Sequence, residues 1–199
     1  MKAVNVAVVG ATGAVGEAMI EILESRDFPV DQLFPLASSR SAGKSLRFKG
    51  KRYTVQDLSN FDFSQTPVAL FSAGGDVSAE YAPIAAQQGC VVIDNTSHFR
   101  RDDDIPLVIP EVNPEAIGQF RQRNIIANPN CSTIGMLMAL KPIYDVAGIE
   151  RINVATYQAV SGTGKDAIEE LAGQTARLLN GKEAEPKVYP RQIAFNVSA

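Results

Sequence analysis

Near its start the chain carries a sequence that few folds can use. The apolar run Val4 to Val9 feeds directly into Gly10-Ala11-Thr12-Gly13-Ala14-Val15-Gly16. That turn opens a helix-period stretch from Val15 to Glu24, with Ala18, Met19, Ile22 and Leu23 on one face. Strand, glycine turn and amphipathic helix in this order form the βαβ rhythm of a parallel sheet.

The rhythm continues along the chain. Leu33 to Ala37 reads as the next strand, and Arg47 to Val55, with its Lys49-Gly50-Lys51 turn, as a short appended hairpin. A strand at Val68 to Phe71, a helix from Val77 to Gln88 and a strand at Val91 to Ile93 follow, then strand-like Leu107 to Ile109 and Ile125 to Ala127. Beyond Cys131 the pattern predicts a helix (Ile134, Leu137, Met138, Leu140), a strand over Ile152 to Val160 and a helix over Lys165 to Leu179. The apolar stripe of that last helix is Ile168, Leu171, Ala172 and Leu178. Asn180 to Ala199 contains Pro and Lys and turns apolar at Ile193-Ala194-Phe195. The fold class expected is α/β: a Rossmann-like doubly wound, mostly parallel sheet over residues 1–130, with the beginning of a second α+β domain over 131–199.

With 199 residues, 45% of them hydrophobic and 21% charged, the chain can bury a full core. Its net charge of −3, with Lys and Arg scattered among acids, offers no basic face to nucleic acid or to an anionic membrane. Lys2 precedes an apolar stretch, but Gly10, Thr12, Gly13 and Glu17 interrupt it, so it reads as a buried strand and not as a signal peptide. The two cysteines lie in different contexts, which gives no disulfide framework and fits a reducing cytoplasm. Cys90 opens the run Val91-Val92-Ile93 and reads as inert core.

The glycine turn sits where a dinucleotide fingerprint requires it, with spacing G-x-x-G-x-x-G in place of G-x-G-x-x-G. Its glycines allow a pyrophosphate to approach the backbone, and the helix start meets the charge; a plain tight βα turn is the alternative. Where an NAD site usually carries an acid at the end of the second strand, this chain has Ser38-Ser39-Arg40-Ser41. Hydroxyls and a guanidinium suit a 2′-phosphate, which points to NADP; a solvated loop is the competing reading.

Asn128-Pro129-Asn130-Cys131-Ser132-Thr133-Ile134 puts a cysteine where an apolar helix begins. There, unpaired N–H groups and the positive end of the macrodipole favour thiolate over thiol. Small apolar filler in a capped helix is the equally weighted alternative. Asp94-Asn95-Thr96-Ser97-His98-Phe99-Arg100-Arg101 follows a strand end, where Arg100 is placed to grip an anion or to pair with Asp102, Asp103 and Asp104. His98, the sole histidine, reads as a partly buried polar residue beside Phe99 in preference to a general base. Ser161-Gly162-Thr163-Gly164-Lys165 fails the nucleotide triphosphate loop signature, since Ala159 stands at the first glycine and Asp166 at the Ser/Thr, yet as a glycine turn it can touch a cofactor. Gln158, on the preceding strand, can donate a hydrogen bond to an intermediate. No metal is expected, because the acids at 102–104 form one contiguous run and no Cys/His spacing suits zinc.

Taken together, these segments resemble the aspartate-semialdehyde dehydrogenases. The matching pieces are GATGAVG at 10–16, ASSRSAGK at 37–44, DNTSHFR at 94–100, IPEVNPEAI at 109–117, NPNCSTI at 128–134 and QAVSGTGKDAIEEL at 158–171. The acetylglutamyl-phosphate reductases share the glycine turn, but Asn130-Cys131-Ser132-Thr133 favours the aspartate family over their Gly-Cys-Tyr type segment.

The resemblance implies reversible, NADP-dependent reductive dephosphorylation of aspartyl 4-phosphate to aspartate 4-semialdehyde, on the way to lysine, threonine and methionine. It implies Cys131 as acyl-thioester nucleophile, Gln158 as the group orienting the acyl oxygen, Arg100 as the phosphate-holding residue and Asn130 flanking the site. Gly10, Thr12, Gly13, Ala14, Val15, Ser38, Arg40, Ser41, Ser161 and Gly162 would line the cofactor. It also implies a homodimer or higher oligomer in the intact family, and a longer chain carrying an acid/base histidine and a substrate-carboxylate arginine that His98 and the residues here do not match. On that reading the 199 residues form the N-terminal part, with weak turnover. A non-catalytic nucleotide-binding paralogue that pairs with a full-length partner is the reading from another class.

Overall fold

A computed structural model describes residues 2–197. In chain order it contains β1 (Val4–Val9), α1 (Ala14–Ser25), β2 (Val30–Ala37), β3 (Ser45–Phe48), β4 (Lys51–Thr54), β5 (Gln56–Asp57), β6 (Val68–Phe71), α2 (Gly75–Gln87), β7 (Val91–Asp94), β8 (Ile125–Ala127), α3 (Cys131–Ala147) and α4 (Lys165–Leu179). Two compact units divide the chain, Met1–Val154 and Ala155–Ala199.

In the first unit, β1 pairs in parallel with β2 on one side and β6 on the other, inside a six-stranded sheet ordered β5-β2-β1-β6-β7-β8. Every pairing in this sheet is parallel. Side chains alternate across a strand, and the near-continuous apolar runs bury both faces. Val6 and Val8 pack with Ile20, Leu33 and Phe48, while Ala7 and Val9 pack with Phe71 and with Ala82, Ala85 and Ala86 of α2. Cys90 belongs to that second cluster and is fully buried. β3 and β4 form the expected hairpin, turning at Lys49 and Gly50 with φ of 46° and 74°.

Gly16 is where α1 closes on the sheet. A Cβ there would overlap the Gly10 carbonyl and stand 2.9 Å from Ala11 Cα. The third glycine of the turn is therefore a packing requirement between helix and strand.

Three sequence expectations need correction. Ile152 to Val160 forms no strand: residues 151–159 have no regular secondary structure and are exposed, with Val154 64% and Tyr157 88% accessible. A strand needs a neighbour to take its N–H and C=O groups, and among the described residues none pairs with this segment. Leu107 to Ile109 contributes only an isolated bridge, Leu107 to Ala127, because the loop leaves the sheet edge after one register position.

The third correction concerns α4. Its predicted stripe is not the covered face: Ile168 and Ala172 are exposed, whereas Ala167, Glu170 and Gln174 are buried. Polar side chains lie inside because they hold the returning chain. Glu170 accepts backbone N–H groups of Lys187 (2.9 Å), Val188 and Tyr189 (3.4 Å), and Gln174 Oε1 accepts those of Ile193 (2.8 Å) and Ala194 (3.2 Å). Gln174 Nε2 donates to Glu170 Oε1 at 3.0 Å, and Arg177 pairs with Glu185 at 2.6 Å. A segment with no sheet to join thus finds its hydrogen-bond acceptors on a helix. α3 forms as expected, but none of its residues is buried.

Two outcomes follow from this packing. Gly16→Ala forces α1 away from Gly10 and should cost about 1–3 kcal/mol in chemical unfolding; an unchanged midpoint would show that the contact is slack. Burial pushes the Glu170 carboxyl up, but the N–H groups of Val188, Lys187 and Tyr189 and the charge of Lys187 outweigh it and hold it below its ordinary value. A carboxyl lowered by folding stabilises above its ordinary value and loses that contribution as pH falls through the lowered one. Amide exchange at 187–189, corrected for its intrinsic pH dependence, should lose protection as pH drops below 4.5. In Glu170→Gln the protection is lower throughout and that pH step is absent.

Candidate active site

Because the six strands are parallel, their carboxyl ends share one edge. The turns leaving them are Gly10–Gly13 after β1, Ser38–Ser41 after β2, Ser72–Gly75 after β6, Asn95–Arg100 after β7 and Asn128–Cys131 after β8. In an open sheet with this order, ligands sit at that edge where the winding reverses, beside β1.

The glycine turn is built for a close approach. Gly10 has φ of 86°, and a Cβ there would meet Ala73 N and the Ser72 carbonyl at 3.0 Å. Gly10 and Ala11 donate to Leu36 O at 2.9 and 3.1 Å, and Gly13 N donates to Gly10 O at 2.9 Å. Gly13 caps α1 with no side-chain oxygen closing the helix start, so beyond the Gly13 N–H bond to Gly10 O the first turn of α1 has no side-chain acceptor of its own. A pyrophosphate fits this cradle in shape and charge. Ser38 and Arg40 are exposed beside it. Ser41 is buried, donates its N–H to Ser38 O at 2.8 Å and accepts Lys44 Nζ on its hydroxyl at 3.4 Å. The Lys44 ammonium thus lies on the same turn that carries Arg40 and Ser41.

Arg100 is held by backbone carbonyls. Its Nε donates to Asn128 O at 2.9 Å and its Nη2 to Asn95 O at 3.0 Å. The competing pairing with the 102–104 acids does not occur for Arg100; Asp104 instead pairs with Arg123 at 2.8 Å. Beneath the loop, the fully buried Asp94 carboxylate accepts Ser78 Oγ (2.8 Å), Thr96 N (3.0 Å) and Thr96 Oγ1 (2.8 Å). His98 lies edge-on to Phe99, with ring centroids 4.6 Å apart. It is exposed where partial burial was expected, because Phe99 takes the core position.

Cys131 is the first residue of α3 and is exposed. Asn130 caps the helix, its Oδ1 accepting Ser132 N at 3.0 Å and lying 4.0 Å from Cys131 Sγ. No acid stands in the first turn, so the helix dipole there is not offset by a neighbouring carboxylate. Cys90 contrasts with it, since burial pushes that thiol up to about 12. The structure thus separates an inert thiol from an accessible one.

In the second unit, Ser161 and Gly162 lie in a short 3₁₀ turn, Val160–Thr163. Gln158 folds over it: a Cβ on Gly162 would overlap the Gln158 carboxamide. The Thr163 hydroxyl lies 2.9 Å from Tyr189 Oη.

Two parts of this edge escaped the sequence reading. One is Ser72–Gly75, which abuts Gly10; the Gly74-Gly75 pair directly after a strand was the available signal. The other is the Asn95–Asn128 contact, 2.7 Å between Nδ2 of Asn128 and Oδ1 of Asn95, for which no local pattern exists. Among the described residues, no group of three His, Cys, Asp or Glu side chains could hold a metal, and no helix is long and apolar enough to cross a membrane.

Comparison with known proteins agrees with this geometry. The family model for the semialdehyde dehydrogenase NAD binding domain matches residues 5–120, and that for the semialdehyde dehydrogenase dimerisation domain matches 140–199. An aspartate-semialdehyde dehydrogenase of Shewanella violacea is 70% identical over 193 residues, covering 97% of this chain and 57% of that protein. Aspartate-semialdehyde dehydrogenase 2 of Vibrio cholerae is 70% identical over 192 residues, covering 96% of this chain and 57% of that protein. The crystal structure of aspartate semialdehyde dehydrogenase II of Vibrio cholerae, complexed with ASA, superposes with a TM-score of 0.97 at 68% identity, over 98% of this chain and 58% of that one. The Candida albicans enzyme solved with NADP superposes with a TM-score of 0.65 at 29% identity, over 74% of this chain and 48% of that one. The chain therefore spans a little over half the length of the relatives it matches. With a parallel sheet of this order, a glycine turn at its switch point and both family models in sequence along it, the chain belongs to the semialdehyde dehydrogenase family.

Proposed function

We propose that the chain carries the cofactor site and the nucleophile of an NADP-dependent aspartate-semialdehyde dehydrogenase. The observation that supports this most is the exposed Cys131 at the start of α3, on the same sheet edge as the glycine turn. The names of the Shewanella and Vibrio relatives support this substrate class, and the Candida enzyme solved with NADP supports this cofactor. On this reading residues 1–130 bind the nucleotide and the catalytic, dimer-forming part begins at Cys131.

The thiolate of Cys131 attacks the acyl carbon of aspartyl 4-phosphate. The carbon–oxygen bond to phosphate breaks, phosphate leaves with the electron pair, and a thioester remains on Sγ. Arg100 holds the departing phosphate through the guanidinium N–H groups that its two backbone bonds leave over. Asn130 fixes the helix start, and Gln158 orients the acyl oxygen. A dinucleotide held by the glycine turn would supply the hydride for reduction of the activated acyl group. The carbon–sulfur bond then breaks and returns its electron pair to Cys131. Gly10, Thr12, Gly13, Ala14, Val15, Ser38, Arg40, Ser41, Ser161 and Gly162 are assigned to the cofactor. A thiol that must stay reduced fits a cytoplasmic setting.

The single histidine, His98, stands exposed against Phe99, and by the resemblance it is not the family's acid/base histidine. The chain assayed by itself is expected to turn over about 10²- to 10⁴-fold more slowly than a relative with a positioned acid/base. A rate equal to a full-length relative's would contradict this. Arg40→Ala should weaken NADP about tenfold or more while changing NAD little, read by equilibrium titration with each nucleotide; equal losses for both would remove Arg40 from the 2′-phosphate. In thiol counting at neutral pH, one equivalent reacts in the folded chain and maps to Cys131, and the second, Cys90, appears only in denaturant. Early labelling of Cys90 would overturn the assignment.

A further inference from the structure

The geometry points to Asn95 and Asn128 as a positioning pair that fixes Arg100 relative to Cys131. The inference rests on Arg100 as the anion-holding residue of the proposed function. The two asparagines lie on different turns, after β7 and after β8, and are joined through Asn128 Nδ2 donating to Asn95 Oδ1 at 2.7 Å. Each also gives its backbone carbonyl to the same guanidinium, Asn128 O to Nε at 2.9 Å and Asn95 O to Nη2 at 3.0 Å. Three hydrogen bonds thus close a ring through two loops and one cation.

Both loops are pinned from below. Asn95 N donates to Phe71 O at 2.9 Å and Asn128 N to Asp94 O at 2.8 Å, which continues the sheet ladder one step past the strand ends. The buried Asp94 carboxylate holds Thr96 on the far side of Asn95. What the backbone ladder does not fix is the spacing between the two carbonyls that receive Arg100. The amide contact between the asparagine side chains sets it. With Nε and one Nη2 hydrogen tied down, the guanidinium turns its Nη1 side away from the ring, and a planar group anchored along one edge is pre-organised on the other. Cys131 follows Asn128 by three residues, through Pro129, which is buried and limits the backbone, and the helix cap Asn130. A shift of the Asn128 turn therefore moves both the cation and the sulfur.

The test reads the charge around Cys131 instead of turnover. Rates of Cys131 alkylation by iodoacetate, an anion, and by neutral iodoacetamide are measured at low ionic strength in the 199-residue chain, in Arg100→Gln and in Asn95→Ala, Asn128→Ala and the double variant. The wild-type chain should favour the anion relative to free cysteine, and Arg100→Gln should lower the iodoacetate to iodoacetamide ratio roughly threefold to fivefold, the size of one unit charge acting through solvent. Each alanine variant should lower the ratio by a similar factor with little change in the iodoacetamide rate. The double variant should go no further than either single one, because one contact is lost in all three. Asn95→Ala reads the same contact if Asn128→Ala does not fold. If Arg100→Gln removes the preference but both alanine variants keep it, the positioning pair is wrong and Arg100 stands. If Arg100→Gln changes nothing, Arg100 does not serve the sulfur and the proposed role falls with the inference.

Discussion

The parallel pairing of β1 between β2 and β6 is the constraint on which the rest depends. It buries an apolar strand on both faces, and it sends every strand of the main sheet out at one edge. Chain connections of such a sheet must return across its faces, so its helices begin near the edge where the strands end. Helix starts carry N–H groups without intrahelical partners, which favours anions at that edge without any excess of Lys or Arg. A chain of net charge −3 can in this way present sites for phosphate and for a thiolate.

Two helix starts show how the same backbone serves two chemistries. α1 begins on Gly13 with no side-chain cap, which leaves its N–H groups to an outside anion. α3 begins under Asn130, whose side chain takes Ser132 N and sits by the sulfur of Cys131. On the proposed reading the first is a binding cradle and the second a mount for a reactive atom. Arg100 is held by the main-chain oxygens of Asn95 and Asn128 and pairs with no carboxylate among the described residues, and the proposed function makes it the fixed charge serving the second.

What the sequence made legible was whatever depends on local period and turn chemistry. Most strands and all three helices of the first unit, the Lys49-Gly50 hairpin and the bounds of α4 follow from those rules, and so does the inert Cys90; Leu107 to Ile109 and β5 do not, and for Cys131 the rules left filler and nucleophile equally open until its exposure separated them. Partners distant in the chain were not legible. Ile152 to Val160 has the residues of a strand, yet no described segment pairs with it, and residues 151–159 stay irregular and exposed. α4 has an apolar stripe by period, yet Glu170 and Gln174 are its covered residues because the chain past residue 186 needs hydrogen-bond acceptors. The link between Asn95 and Asn128 joins two loops 33 residues apart and leaves no trace in either segment.

On the proposed function, the sulfur at the start of α3 and the dinucleotide cradle at the start of α1 serve one reaction centre. Protection of Cys131 by cofactor tests it most directly. With NADP at saturation the alkylation rate of Cys131 should fall several-fold, and with NADP lacking its nicotinamide ring it should fall much less. Full binding of NADP with an unchanged rate at Cys131 would contradict the account.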